Sequence, residues 1–220
     1  MKKQNIISIV IVMLLTIAAG FIDAYTFLER SGLFAFMQTG NLIKLFIAIA
    51  NGDIKDYSYK LLLILPIVTF ILGCVIATLL GKSKYQSKIV LICLTLSVVG
   101  ASFIPQTEAW DIICVTILSF TAAMQFEAYR RCLGSVVTTT MCTNNMRLLG
   151  NSIAHLKIKN ILLYLSIILA FALGVAIGVP VCKEMEMLAL IPISGIYLVV
   201  LIIEIVTSVT PNNEETIIAD

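Results

Sequence analysis

Long apolar runs with few charges are the feature that most restricts how this chain can fold. A helix needs about 20 apolar residues to cross a hydrocarbon core of ~30 Å, and in lipid every backbone polar group must find a partner within the protein. The chain therefore predicts an all-α polytopic membrane protein with six transmembrane helices. The runs lie at residues 6–28, 61–81, 87–104, 110–129, 160–182 and 187–207.

The composition excludes several functional classes. Hydrophobic residues make up 60% of the 220 residues and charged residues 13%, against roughly 45–50% and ~25% in soluble domains. Nearly the whole chain is assigned to the bilayer, so no room is left for a soluble catalytic or nucleic-acid-binding domain. We expect the lipid bilayer as partner, no nucleic acid, and leave a homo-oligomer open.

The sequence repeats itself when it is shifted by 104 positions. The shift aligns similar residues in the two halves, namely Asp23 with Glu127, Tyr25 with Tyr129, Thr39 with Thr143 and Asn41 with Asn145. Further along, a shift of 101 positions aligns Phe70–Gly73 with Phe171–Gly174. Small residues four positions apart, as in Gly174-x-x-x-Gly178, predict close helix packing. An internal repeat of this length indicates two related structural units.

Each unit is predicted to hold three helices and one half-helix. The first repeat covers 1–107, with helices 6–28, 61–81 and 87–104 and half-helix 40–51. The second covers 108–209, with helices 110–129, 160–182 and 187–207 and half-helix 143–154, and 210–220 is a flexible acidic tail. An odd number of crossings per repeat inverts the second copy relative to the first.

The charges support this inverted arrangement. If the amino terminus is cytoplasmic, most basic residues fall inside, as positive-inside topology requires. They are Lys82, Lys84, Lys88, Arg130, Arg131, Arg147, Lys157 and Lys159. The exception is the first connection, which would place Arg30, Lys44, Lys55 and Lys60 outside. Both termini are therefore predicted to be cytoplasmic.

Segment 40–51 is too short to span, since 12 residues of helix reach only ~18 Å. We interpret it as a re-entrant half-helix, with Thr39 as its N-cap and Gly40 allowing a close backbone approach. The segment before 143–154 is expected to enter from the opposite side. Helix amino ends that converge at the midplane form the sites of many secondary transporters. The alternative is that the matched Thr and Asn residues only cap helices and satisfy each other.

The candidate substrate or ion site combines these residues with the acidic groups of the repeat. Asp23 and Glu127 are ionisable residues inside predicted helices, where such groups are costly and are functional suspects; simple placement near the interface is the other interpretation. The candidates are Asp23, Gln38, Thr39, Gly40, Asn41, Gln125, Glu127, Thr143, Asn144 and Asn145. Glu204, near the end of the last helix, is expected to reach the cytoplasmic surface.

Catalytic and metal signatures are not found in the sequence. It has no H-E-x-x-H or G-x-S-x-G motif, one histidine, and six cysteines without a C-x-x-C pair. We predict no enzyme activity, no metal and no cofactor. The leading hypothesis is a small secondary permease for a small solute or ion, with its site between the inverted repeats. The alternative is a non-transporting assembly or sensory module with a structural polar centre.

Several motifs also resemble a known family. Gly20–Ala24, Gln38–Asn41, Met124–Gln125 followed by Arg130–Arg131, and Thr139–Thr143 are similar to motifs of the YoaK-like family of bacterial multi-pass inner-membrane proteins (domain of unknown function 1275). The resemblance implies a bacterial cell-membrane protein of about six helices and supplies no substrate. Where the family repeats Thr-Gly-Asn, this chain has Thr143-Asn144-Asn145.

Overall fold

A computed structural model of the chain describes residues 3–50 and 63–211, and these are mainly helical. A short 3-10 helix, Glu186–Leu190, joins the last two α-helices, and strands β1 (Arg131–Cys132) and β2 (Ser135–Val136) form an antiparallel hairpin. The α-helices are α1 (Lys3–Glu29), α2 (Gln38–Ala50), α3 (Ile64–Leu80), α4 (Gln86–Ala101), α5 (Glu108–Ala128), α6 (Thr143–Ala154), α7 (Ile158–Met185) and α8 (Ile191–Thr207).

Three helical stretches of the described residues are long and apolar enough to cross a membrane. They are Lys3–Glu29, Glu108–Ala128 and Ile158–Thr207, the last of which contains α7, the 3-10 helix and α8. Helices α3 and α4 are apolar but shorter, with 17 and 16 residues. The helical, apolar character expected from the sequence is therefore confirmed, whereas six crossings in two inverted repeats stays a prediction.

Separate short helices lie at both positions where half-helices are predicted, and their re-entrant placement stays a prediction. The second matches its expected range, 143–154, and the first begins at Gln38, two residues before position 40. The expected N-cap at Thr39 is wrong, because this residue lies inside the first turn of α2 and its side chain is exposed. The expected end of this helix at residue 51 lies outside the described residues.

Glycines bring two pairs of helices into backbone contact. A Cβ added at Gly174 in α7 would lie 2.1 Å from the carbonyl oxygen of Ile17 in α1, and one added at Gly20 would lie 2.2 Å from that of Phe171. Gly73 in α3 is equally close, 2.3 Å, to the carbonyl oxygen of Phe120 in α5. The close packing expected at these small residues is confirmed. Small residues are what lets membrane helices approach this closely.

Helices α4 and α8 pack against each other and complete the apolar core beside α1 and α5. At one end of this core, the expectation for Glu204 is wrong: its side chain is 1% exposed and does not reach the surface. The Tyr129 hydroxyl donates a hydrogen bond of 2.8 Å to Glu204 Oε1. A buried hydroxyl partner thus replaces water for one oxygen of this carboxyl group.

Two tight reversals of the chain precede the short helices. Ser31 and Gly32 follow α1 with φ angles of 54° and 67°, and Leu133 and Gly134 join β1 to β2 with 52° and 72°. Two consecutive positive φ angles are the geometry of a type I′ hairpin turn, which favours glycine at its second position. The hairpin was not expected, because β1 and β2 have two residues each and carry no periodic signal.

Candidate functional site

The segment that precedes α2 is held by the side chain of Asn41. Its Oδ1 accepts a hydrogen bond of 2.9 Å from the Phe34 backbone N–H, and its Nδ2 donates one of 2.7 Å to the Phe34 carbonyl. Nδ2 also donates to Gln38 Oε1 at 3.0 Å. The asparagine therefore pairs with both backbone groups of Phe34 as a neighbouring strand would, and gives hydrogen-bond partners to a segment that has no strand beside it.

The second half of the chain repeats this arrangement at the matching positions. Asn145 Oδ1 accepts from the Thr138 N–H at 3.1 Å, and Nδ2 donates to the Thr138 carbonyl at 2.7 Å. Nδ2 makes a further bond of 3.2 Å to the Met141 carbonyl. Both asparagines are fully buried. The duplicated sequence thus encodes a duplicated backbone clamp, in which Asn41 and Asn145 have used both of their N–H donors.

The missing glycine of the second half is explained by the residue that faces it. In the first half, a Cβ at Gly40 would lie 2.7 Å from the Phe34 ring, so a side chain there would require the ring to move. In the second half, Thr138 takes the position of Phe34, and Asn144 Nδ2 donates to its hydroxyl at 3.1 Å. A smaller residue at 138 leaves room for the side chain at 144, so the two differences compensate each other.

The segments held by Asn41 and Asn145, residues 30–37 and 137–142, are called the first and second clamped segments. The glutamines among the candidates link these clamped segments to the long helices. Gln38 Nε2 donates to Ser119 Oγ in α5 at 3.0 Å. Gln125, which is fully buried, donates from Nε2 to the Leu15 carbonyl of α1 at 3.2 Å and to Thr139 Oγ1 at 3.3 Å. Leu15 and Ser119 lie near the midpoints of α1 and α5. Each clamped segment is thereby connected to the middle of a long helix.

Asp23 differs from the other candidates because one of its oxygen atoms has no partner. The side chain is 2% exposed, and Oδ1 accepts a hydrogen bond of 2.9 Å from the Phe36 backbone N–H. Oδ2 is buried and has no hydrogen-bond partner among the described residues. The carboxyl group is therefore enclosed by protein, and its depth in the membrane stays a prediction. The carboxyl group is also close enough to Cys142, in the second clamped segment, to act on it electrostatically.

A cavity of about 230 Å³ borders Asp23 between α1, α7 and the first clamped segment. Its walls are apolar and include Phe27, Phe34 and Phe171. The cavity is therefore shaped by both halves of the sequence, since Phe171 belongs to α7.

The remaining candidates are not part of this buried group. Glu127, which aligns with Asp23, is 20% exposed and lies 3.6 Å from Arg130, one turn further along the chain. Thr143, like Thr39, is exposed at the protein surface. The repeat therefore places one buried and one partly exposed acidic group at matching positions, so the two halves are not chemically equivalent.

Sequence reasoning missed an extensive polar cluster, which surrounds Arg30. The guanidinium is fully buried, and five hydrogen bonds match its five N–H donors. The acceptors are the Tyr25 hydroxyl at 2.9 Å, Asp111 Oδ1 at 3.2 Å and the carbonyls of Pro105 at 2.9 Å, Ala101 at 3.3 Å and Ile104 at 2.8 Å. Ser31 donates to the other Asp111 oxygen at 2.7 Å. Arg30 thus joins the end of α1, the end of α4 and the start of α5.

The charge of Arg30 is maintained despite its burial. Loss of water acts to lower the pKa of the guanidinium, but its neighbours, which include the hydrogen-bonded Tyr25 and Asp111, raise that pKa overall. The sequence signal was the exception to the positive-inside pattern, because Arg30 and Lys44 both lie in the anomalous first connection. Lys44 Nζ also bonds within the protein, to the Gly32 carbonyl. Lys55 and Lys60 lie outside the described residues.

Comparison with known proteins gives a family but no function. No curated protein and no solved structure matches the chain. One family model does match, over residues 11–203, and that range contains every candidate residue described above. The chain belongs to the family described as "Protein of unknown function (DUF1275)".

Proposed function

We propose that this protein is a small secondary permease in which Asp23 carries the coupling proton. In this proposal, six helices cross the bacterial cell membrane as two inverted repeats, and both termini are cytoplasmic. Helices α1 and α7 run parallel, because their contacts advance in the same direction, from Ile17–Gly174 to Phe21–Gly178. Helices α3 and α5 run parallel as well, with contacts from Thr69–Thr116 to Gly73–Phe120. Such a paired, parallel arrangement is what inverted three-helix repeats would produce, and it supports the proposal.

The observation that carries the proposal is the free oxygen of Asp23. Burying a carboxylate without a partner is costly, whereas the protonated form is neutral and can be accommodated. Oδ2 is buried without a partner in the described residues, and Asp23 is one of the residues that line an apolar cavity shaped by both halves. A proton on Oδ2 would neutralise the carboxyl group and stabilise it in its buried position. Entry of water would favour release of that proton.

Movement of the clamped segments provides the route for that exchange. The Phe36 N–H that holds Asp23 Oδ1 belongs to the segment fixed by Asn41. If this segment shifts relative to α1, the carboxyl group loses its bond to the Phe36 N–H and can be exposed to one side of the membrane. Alternating exposure of a midplane site between inverted repeats is the general mechanism of secondary transporters. No enzyme activity, cofactor or nucleic acid enters this proposal.

The alternative is a non-transporting module whose polar centre is structural. The observation in its favour is that Asn41 and Asn145 direct their amides to their own backbone. Such residues have little hydrogen-bonding capacity left for a solute. Asp23 is therefore the residue whose substitution separates the two functions.

Replacing Asp23 with asparagine is expected to abolish proton-coupled transport while the fold is preserved. Asparagine keeps an acceptor for the Phe36 N–H but cannot carry and release a proton. The measurement uses purified protein in liposomes that contain a pH-sensitive dye, with an inside-negative potential and a panel of amino acids, sugars and organic cations. We expect at least one solute class to change the internal pH with the wild-type protein, and Asp23→Asn to reduce that change to the level of empty liposomes.

Glu29→Gln is the matched control, because Glu29 is a partly exposed acidic residue of the same helix whose contact is to Gln106. It should transport as the wild type does. Proton movement that persists in Asp23→Asn would show that another group carries the proton. A wild-type protein that gives the same signal as empty liposomes with every solute class would favour the structural module.

A further inference from the structure

A second cavity, of about 440 Å³, lies between α1 and α7 at the end where both helices begin. Its volume is within the range of ligand-binding pockets, about 300–1,000 Å³. It is separated along both helices from the Asp23 cavity, which is bordered by later residues of α1 and α7. This second cavity is therefore independent of the proposed permease site.

Most of the wall of this cavity is apolar. Ile9 and Met13 are one turn apart on α1, and Leu162 and Leu163 lie on the facing side of α7. Leu133, from the turn of the β1–β2 hairpin, contributes to the wall as well. Hydrocarbon chains, and not polar solutes, are the ligands that such a wall accommodates.

The polar residues of the cavity are basic or neutral. Lys159, at the start of α7, is the charged residue of the lining, and Asn5 and Ser166 supply the other polar side chains. Lys159 is exposed, and no ion pair found in the described part of the chain involves it. The positive charge of a lysine in the first turn adds to the partial positive charge of the helix amino end, so an anion beside both is favoured.

Three further basic residues lie close in sequence to residues of the lining. Lys3 lies two residues before Asn5, Arg131 two residues before Leu133, and Lys157 two residues before Lys159. Basic pockets between membrane helices are recognition sites for anionic lipid headgroups, and lipid tails lie beside the same helices. A ligand that complements this cavity has a negatively charged headgroup and a hydrocarbon chain.

We propose that this cavity binds one anionic phospholipid of the adjoining leaflet. The headgroup phosphate lies at Lys159 and Asn5, and an acyl chain lies along Ile9, Met13 and Leu162. A lipid in this position contacts both α1 and α7. It lies nearer the starts of the two helices than the point where Ile17 meets Gly174. The proposal rests on the lining of the cavity and its charge, and does not require the protein to be a permease.

The test compares lipids that differ only in headgroup. The full-length protein, delipidated in a neutral detergent, is mixed with dioleoyl phosphatidylglycerol or dioleoyl phosphatidylcholine, and retained lipid is counted by native mass spectrometry. We expect wild-type protein to retain one phosphatidylglycerol in preference to phosphatidylcholine. Lys159→Gln should lower the apparent affinity for phosphatidylglycerol about fivefold, since a lysine near a membrane surface contributes about that factor to anionic-lipid attraction.

Two further variants make the result specific. Lys183→Gln removes the same charge from the opposite end of α7 and should leave binding unchanged. Leu162→Trp fills the cavity from a side chain that is 60% exposed, and should reduce retention of both lipids while the melting temperature of the lipid-free protein is unchanged.

Four results would overturn the proposal. The first is equal retention of the two lipids by the wild type, and the second is an equal loss of phosphatidylglycerol affinity in Lys159→Gln and Lys183→Gln. The third is full retention of both lipids by Leu162→Trp. The fourth is displacement of the bound lipid by glycerol phosphate at the same concentration as by phosphatidylglycerol. The last of these would identify a phosphate site that does not need the acyl chain.

Discussion

Replacing Arg30 with alanine is expected to destabilise the protein by about 3–5 kcal/mol, because removing one member of a buried ion pair leaves the other charge uncompensated. Among the described residues, the Asp111 side chain would keep the Ser31 hydroxyl as a partner, and the carbonyls of Ala101 and Ile104 would each lose the bond from Arg30. In thermal melts of the purified protein in detergent, a change of this size corresponds to a shift on the order of 10 °C.

Arg130→Ala is the matched control for this experiment. The Arg130 side chain is 62% exposed and its ion pair with Glu127 is 3.6 Å long, so its removal should cost less than about 1 kcal/mol. Arg30→Lys should fall between the two, because lysine keeps the charge but not the five-donor fork. If Arg30→Ala and Arg130→Ala melt at the same temperature, the Arg30 cluster does not stabilise the fold.

Replacing Gly174 with alanine should be the second most damaging change. The added Cβ would lie 2.1 Å from the Ile17 carbonyl oxygen and 3.0 Å from the Phe21 backbone nitrogen. Backbone atoms cannot move aside as a flexible side chain can, so α1 and α7 must separate along their contact. Overpacking typically costs about 1–3 kcal/mol and sometimes more, and we expect a loss at the upper end of that range in the same melting assay.

Gly150→Ala is the control for this substitution. Gly150 lies within α6, and a Cβ there would have no heavy atom within 4 Å. Alanine is a better helix former than glycine by roughly 1 kcal/mol, so this variant should be unchanged or slightly more stable. A Gly174→Ala protein as stable as Gly150→Ala would mean that α1 and α7 are not in backbone contact.

The helices could be predicted from the sequence because their signals are local. Apolar runs indicate the positions of the long helices. The Thr-x-Asn pattern in both halves indicates the two short helices, and the predicted bounds 143–154 agree with those of α6. The start of α8 was misplaced at residue 187, since the apolar run continues through the 3-10 helix before Pro192, which occupies the first turn of α8. Proline is favoured there because a first-turn N–H has no helical acceptor.

The polar contacts could not be predicted, because they join residues far apart in the sequence. Arg30 and Asp111 are 81 positions apart, and Tyr129 and Glu204 are 75 apart. Hydropathy predicts Glu204 at the surface, because a hydropathy scale takes no account of a buried hydroxyl group that can bond to the carboxyl group. The side chain at position 144 likewise depends on the residue at position 138, which lies beside it in the structure.

The proposed function depends above all on the opposite orientation of the two halves, and side-specific labelling tests this orientation most directly. In a variant without native cysteines, single cysteines are introduced at Lys84, Leu156, Glu108 and Glu184, and intact and inverted vesicles are treated with a membrane-impermeant maleimide. We predict that positions 84 and 156 react from the cytoplasmic side, and that 108 and 184 react from the other side. Labelling of 84 and 156 from opposite sides would contradict the inverted arrangement.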